Sequence, residues 1–100
     1  MATYILLGTF TEHGIRNIKD TKKRAEAIRA TAKKLGITAK DFYWTLGKYD
    51  VATIFDAPDD ETMTALALNI GSQGNVHTQI LRAFDESEIG PILTKAGKKK

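Results

Sequence analysis

Two runs of aromatic and β-branched residues, at residues 42–46 and 49–55, constrain the fold of this chain more than any other feature. Only Gly47 and Lys48 separate the two runs. A glycine that opens a two-residue loop favours a tight hairpin of antiparallel strands. The sequence therefore predicts a β-hairpin in the middle of the chain.

The register of this hairpin decides which side chains share a face. A two-residue loop pairs Trp44 with Val51 and Phe42 with Thr53. One face then carries Phe42, Trp44, Leu46, Tyr49, Val51 and Phe55, and the other carries Tyr43, Thr45, Ala52 and Ile54. Neither face is polar enough for water, so the sheet needs a cover on both sides.

The remaining elements follow from the spacing of apolar residues. Residues 3–11 and 76–84 alternate as strands, and the first of these is apolar on both faces. Apolar residues at spacings of three and four predict one long helix over residues 15–35, which Gly36 ends. Residues 58–70 begin with proline and acidic side chains, which indicates the start of a second helix.

These elements follow the order β-α-β-β-α-β, which predicts an α+β fold. Right-handed crossovers place both helices on one face of a four-stranded antiparallel sheet, the ferredoxin-like arrangement. The other apolar face stays bare, which is unusual for a soluble monomer. The simplest cover is a second copy related by a two-fold axis. We therefore expect a homodimer whose two sheets enclose a dimeric α+β barrel.

Length and charge indicate one domain over residues 1–94 and a disordered lysine-rich tail over residues 95–100. The net charge of +3 comes mainly from four lysines in this tail. Residues 12–34 hold a second basic cluster, expected as a solvated helix face with pairs such as Glu12 with Arg16, or alternatively as a contact site for an acidic partner. No nucleic-acid partner is expected, because that needs basic charge clustered on folded structure. Residues 86–93 are expected as a short turn of helix or a segment that wraps against a neighbour.

The absence of cysteine excludes a disulfide framework and a thiol nucleophile. We expect a cytoplasmic protein on this ground. No apolar run is long enough for a membrane span, and the first residues lack the pattern of a signal peptide. A membrane partner is therefore not expected.

Five segments of the chain resemble the GYD-domain family of small bacterial and archaeal proteins, and the resemblance covers nearly the whole chain. The segments are residues 11–15, 22–27, 46–51, 57–60 and 74–76. The signature reads Gly47-Lys48-Tyr49-Asp50, with one residue between the glycine and the tyrosine. This resemblance implies a dimeric α+β barrel in a family of unknown function, and it implies no catalytic residue.

The same hairpin is similar to the ligand-sensing domains of leucine-responsive-type regulators. Those domains place a similar glycine, tyrosine and aspartate sequence at a turn in a similar fold. This chain lacks their helix-turn-helix portion. The similarity implies effector binding at an interface without DNA binding.

Five residues are candidates for ligand binding at the mouth of the predicted barrel: Trp44, Tyr49, Asp50, His77 and Gln79. Asp50 either accepts backbone N–H bonds that fix the turn, or it anchors a ligand. His77 alternates with Gln79 on a strand and is expected to point into the barrel. His13 and His77 lack acidic residues at ligand spacing, so neither a metal site nor a cofactor is expected.

Two functions fit these residues. The first is a homo-oligomeric module that binds a small molecule or serves in assembly, and an assembly module predicts that the aromatic side chains fill the barrel. The alternative is a small cofactor-independent enzyme, monooxygenase-like or isomerase-like, acting on a hydrophobic or aromatic substrate with His77, Asp50 or Tyr49 as acid or base. An enzyme predicts a closed pocket of roughly 300 Å³ or more with at least one of these side chains inside it.

Overall fold

The computed structural model describes residues 1–97, which form four strands and four α-helices. The strands are β1 (Ala2–Phe10), β2 (Thr38–Trp44), β3 (Val51–Ala57) and β4 (Val76–Ala83). The helices are α1 (Glu12–Arg16), α2 (Thr21–Lys34), α3 (Asp60–Ser72) and α4 (Glu86–Ala96). A short 3-10 turn, Ile18–Asp20, joins α1 to α2.

The four strands form one antiparallel sheet in the order β2-β3-β1-β4. This order and the helical crossovers confirm the predicted ferredoxin-like α+β fold. The register of the central hairpin also agrees, because Trp44 pairs with Val51 and Phe42 with Thr53. The turn itself is wider than predicted, since the two strands end at Trp44 and Val51. Gly47 adopts a φ of +126° within it, a conformation that favours glycine.

The first helical region differs from the single helix that the sequence predicts. It is divided into α1, the 3-10 turn and α2, with a non-helical backbone at Asn17. The cause lies at Gly14, where a Cβ atom would stand 2.1 Å from the carbonyl oxygen of Asn75. The close contact that glycine allows fixes α1 against the turn before β4. The chain must then change direction before α2 begins.

The hydrophobic core lies between one face of the sheet and the two long helices. Its buried apolar members are Tyr4, Leu6, Ala32, Ile37, Phe55, Ala57, Met63, Leu66 and Ile70. The hydroxyl of Tyr4 donates to a carboxylate oxygen of Asp60 at the start of α3. This hydrogen bond, together with burial, raises the pKa of the tyrosine above its ordinary value.

The opposite side of the sheet, called here the open face, has no covering layer in the described chain. Ile5, Leu7 and Ile54 are half-buried there. Tyr43 and Leu81 on the same face keep 54% and 41% of their surfaces exposed. The sequence predicted this bare apolar face, because the strands alternate between two apolar sides.

Helix α4 stands apart from the rest of the chain, and none of its residues is buried. The described residues extend over 56 × 31 × 19 Å, with a radius of gyration of 15.5 Å. A compact domain of this length has a radius of gyration of about 13 Å. Helix α4 includes Lys95 and Ala96, which the sequence assigned to the tail, while residues 98–100 lie outside the described residues. No helix in the described part is long and apolar enough to cross a membrane.

Candidate functional site

A cavity of about 230 Å³ lies between the helix-facing side of the sheet and helices α2 and α3. Its walls are mainly apolar side chains, among them Leu6, Phe10, Ile28, Phe42, Phe55 and Ile70. Several of these residues also belong to the core or pack against it. The cavity is therefore a continuation of the core that protein side chains leave unfilled.

Small side chains on both walls account for the empty space. Helix α2 presents Ala25 and Thr31 to the cavity, and β3 presents Val51 and Thr53. By contrast, helix α3 presents large side chains such as Met63, which are completely buried. Close packing under α3 and small residues under α2 leave a gap that a molecule of matching shape could occupy.

Arg24 is the only charged residue among those that line the cavity in the described chain. Its guanidinium donates to the carbonyl oxygens of Asn17 at 2.8 Å and Gly14 at 3.3 Å. The guanidinium carbon also lies 6.0 Å from the centre of the Phe10 ring. None of the described carboxylates forms an ion pair with it. This arrangement leaves a fixed positive charge, without an acidic partner, beside an apolar cavity.

The break between α1 and α2 explains how Arg24 reaches this position. The carbonyl of Gly14 lies in the last turn of α1, and the carbonyl of Asn17 accepts a hydrogen bond from the N–H of Asp20 at 3.0 Å. Both carbonyls also accept hydrogen bonds from Arg24. The carbonyls at the end of α1 therefore hold the arginine in place.

Trp44 lies at the edge of the cavity with 46% of its surface exposed. Its indole Nε1 donates to the hydroxyl of Thr21 at the start of α2, at 2.9 Å. The neighbouring wall is Phe42, and the guanidinium of Arg29 stacks on its ring at 4.4 Å. Aromatic rings thus form the β2 side of the cavity.

The polar groups on the remaining wall are neutral. Asn69 and Gln73 come from the end of α3, and Asn75 precedes β4. The buried threonine on β3, Thr53, is only 3% exposed and contributes a polar group to the same cavity. Apolar walls with a few polar groups and one cation suit a small molecule with an apolar body and an acidic group.

The glycine, tyrosine and aspartate of the signature lie outside this cavity and organise the hairpin. The backbone N–H of Phe10 donates to Asp50 Oδ2 at 2.8 Å, and the N–H of Asp50 donates to the carbonyl of Gly8 at 2.8 Å. The aspartate carboxylate thus takes the place of a strand carbonyl beside β1. This is the turn-fixing role that the sequence offered as one of two interpretations for Asp50.

Tyr49 lies on a different face of the sheet from the one that the sequence predicted. The sequence placed Tyr49 on the same face as Trp44, but its hydroxyl donates to Gln79 Oε1 at 3.0 Å. Gln79 pairs with Leu7, so it belongs to the open face. The prediction for Tyr49 is wrong in this respect, because Tyr49 lies in the turn between Trp44 and Val51, where the alternation of a strand does not apply.

The two histidines lie on separate elements. His77 is exposed on β4, opposite Thr9. His13 is exposed on α1, where its carbonyl accepts a hydrogen bond from the Asn17 side chain at 2.9 Å. Within residues 1–97, no cluster of three metal-ligating side chains is found.

The five predicted site residues are thus divided among three places. Trp44 lines the cavity, whereas Tyr49, Gln79 and His77 lie along the open face and Asp50 lies in the hairpin. The ligand-binding roles of these residues remain predictions. Sequence reasoning missed Arg24, which was assigned to a solvated helix face. Its position four residues before Ile28, on the apolar side of the helix, was the available signal.

A comparison with protein families finds that the model described as GYD domain matches residues 4–93. The match covers the cavity, the hairpin and most of α4, and it confirms the family that the sequence resembled. No curated protein matches the chain.

Proposed function

The chain belongs to the GYD-domain family, and from this and the geometry of the cavity we propose that it is a homodimeric module that binds a small apolar molecule with an acidic group. The observation that carries the proposal is the 230 Å³ cavity with Arg24 beside its apolar walls. The exposed apolar residues of the open face support the dimer. The two parts of the proposal rest on different surfaces and can be tested separately.

The size of the cavity limits the ligand. An apolar cavity of ~150 Å³ accommodates benzene. Scaled by volume, the 230 Å³ of this cavity accommodate about nine or ten non-hydrogen atoms. An aromatic ring with a short acidic side chain, such as phenylacetate, has this size.

The charge of Arg24 selects the acidic group. Two of the guanidinium's hydrogen bonds go to backbone carbonyls, which leaves further N–H donors for a ligand. A charge-assisted hydrogen bond contributes about 1.5–3 kcal/mol, more than a bond between neutral groups. A carboxylate is therefore favoured over an uncharged group of the same shape.

The alternative function, a cofactor-independent enzyme, receives no support from this cavity. Tyr49, Asp50 and His77, the candidate acids and bases, do not line it. The geometry thus favours binding over acid–base catalysis at this place.

The single tryptophan provides a direct test, because Trp44 lines the cavity. Titration with phenylacetate is expected to change its fluorescence, with a Kd on the order of 0.1–1 mM for a ligand of this size. Phenylacetamide, the uncharged analogue of the same shape, is expected to bind at least tenfold more weakly.

Two arginine variants separate the role of Arg24 from a general effect of charge. Arg24→Gln is expected to abolish the difference between the acid and the amide. Arg16→Gln, at an exposed residue paired with Glu12, is expected to preserve it. Equal binding of acid and amide by the wild-type protein, or no fluorescence change with either, would overturn the proposed ligand class.

A further inference from the structure

Helix α4 carries an apolar stripe that nothing in the described chain covers. Ile89, Ile92, Leu93 and Ala96 follow the spacing of three and four that places residues on one side of a helix. Ile89 and Leu93 keep 39% and 61% of their surfaces exposed. Thr94, near the opposite side, is also exposed. The helix thus has an amphipathic pattern but lacks a surface to pack on.

This helix is too short to be stable without such a surface. It has 11 residues, and isolated helices shorter than ~12–15 residues are marginal in water. Gly90 and Pro91 weaken it further, because glycine has a low helix propensity and proline removes a backbone hydrogen bond. A helix at this place therefore requires burial of its apolar stripe.

The start of α4 is nevertheless fixed in direction. Asp85 and Glu88 form a reciprocal capping box, and Glu88 forms an ion pair with Arg82 on β4 at 3.6 Å. The same guanidinium stacks on Phe84 at 4.3 Å. These contacts fix the first turn of α4 beside the end of β4, and the described residues extend over 56 Å. The apolar stripe stays exposed in the single chain.

We propose that α4 is an arm that packs its apolar stripe against a second copy of this chain and so completes the dimer interface. This proposal rests on the homodimer of the proposed function and assigns part of its interface to the arm. Each copy has both an arm and an uncovered open face, so a two-fold axis buries both surfaces reciprocally.

The surface area that a stable dimer must bury supports a second copy of this chain as the partner of the arm. Four strands ~4.8 Å apart, with about seven residues of ~3.3 Å each, give the open face roughly 440 Å². Stable interfaces bury about 800 Å² on each partner, so the open face alone supplies about half. An arm of 11 residues is ~16 Å long and ~10 Å wide. The arm that each copy lends therefore adds roughly 160 Å² to the area of its open face.

Sedimentation of two full-length variants tests the arm. Leu93→Glu places a charge in the apolar stripe, and Thr94→Glu places the same charge near the opposite side of the helix. We expect Leu93→Glu to raise the dimer dissociation constant at least tenfold and Thr94→Glu to change it less than twofold. Equal dissociation constants for both variants and the wild type would overturn the proposed packing of α4 against a second copy, but not the dimer itself. A monomeric wild-type protein would overturn both, without affecting ligand binding in the cavity.

Thiol accessibility gives a second measurement that does not depend on a disruptive charge. The chain contains no cysteine, so Leu93→Cys and Thr94→Cys each introduce a single thiol. Alkylation of Cys at position 93 is expected to slow at protein concentrations where the dimer forms, whereas position 94 reacts at a constant rate. Equal rates in the dimer, or protection at position 93 in the monomer as well, would contradict packing against a second copy.

Discussion

At the scale of single residues, Asp50 shows why an aspartate occurs in the signature turn. Its carboxylate accepts the N–H of Phe10, a donor that would otherwise lack a strand partner at this point. Tyr49 then turns its hydroxyl toward Gln79 across β1. The two residues tie the hairpin to the first and fourth strands, so the signature stabilises one end of the sheet.

Replacement of Asp50 tests this structural role. Asp50→Ala removes the acceptor for Phe10 and is expected to lower the free energy of unfolding by about 1–3 kcal/mol. Asp50→Asn keeps a side-chain oxygen as acceptor and is expected to lose less. Urea denaturation measures both values. A fully stable Asp50→Ala variant that had lost ligand binding would favour the functional interpretation instead.

Two glycines provide a matched test of close packing. Gly14→Ala places a Cβ atom 2.1 Å from the Asn75 carbonyl oxygen, so the backbone must move. We expect a loss of about 1–3 kcal/mol in the free energy of unfolding. Gly71→Ala, in α3 with open space around it, is expected to be neutral or to stabilise by up to ~1 kcal/mol. Thermal unfolding measures the stability of both variants. If Gly14→Ala were as stable as Gly71→Ala, this would contradict the close contact of Gly14 with Asn75.

At the scale of secondary structure, the strands were predictable and the first helix was not. The short separation between the two runs at residues 42–46 and 49–55 predicted the pairing of Trp44 with Val51 from local sequence alone. The break before α2 depends on the contact of Gly14 with Asn75, which is 61 residues distant along the chain. Periodicity within one segment carries no information about such a contact.

Acid provides a test of the cap of α4. Hydrogen bonds from the Ser87 hydroxyl and the Glu88 N–H hold the pKa of Asp85 below its ordinary value of 3.8. A lowered pKa means that the cap stabilises the helix above 3.8, and that this stability is lost as pH falls through the lower, folded value. The Cα chemical shifts of residues 86–90 are expected to become less helical in that range.

The variant Asp85→Asn serves as the control for this acid transition. Asparagine is a good helix cap that does not titrate near this pH. Glu86, Glu88 and Arg82 remain in the variant, so any effect of their charges is retained. An identical acid transition in Asp85→Asn would show that Asp85 is not its cause.

At the scale of the whole molecule, the open face determines the expected assembly. Its apolar residues were predictable, because they follow from the same alternation as the core. Ile54→Glu introduces a charge at the centre of this face and is expected to shift the protein from dimer to monomer in sedimentation. Thr64→Glu, on the exposed side of α3, is expected to leave the dimer intact. A wild-type dimer that persists in Ile54→Glu would place the interface elsewhere.

The cavity was not predictable from the sequence, and the reason is physical. Its volume depends on how side chains from α2, α3 and all four strands fill a common space. The sequence identifies small residues such as Ala25 and Thr53 but not that they face one another. Arg24 likewise becomes a candidate only when the break in the helix brings it beside Phe10.

The most direct test of the account is to map phenylacetate binding onto the backbone amides by NMR. If the cavity is the binding site, the largest shifts are expected at residues of its walls, such as Ile28, Thr53 and Val76. Amides near Arg24 are expected to shift with phenylacetate but much less with phenylacetamide. Shifts confined to the open face, at residues such as Ile5 and Leu81, would contradict the account, and so would no shifts at all.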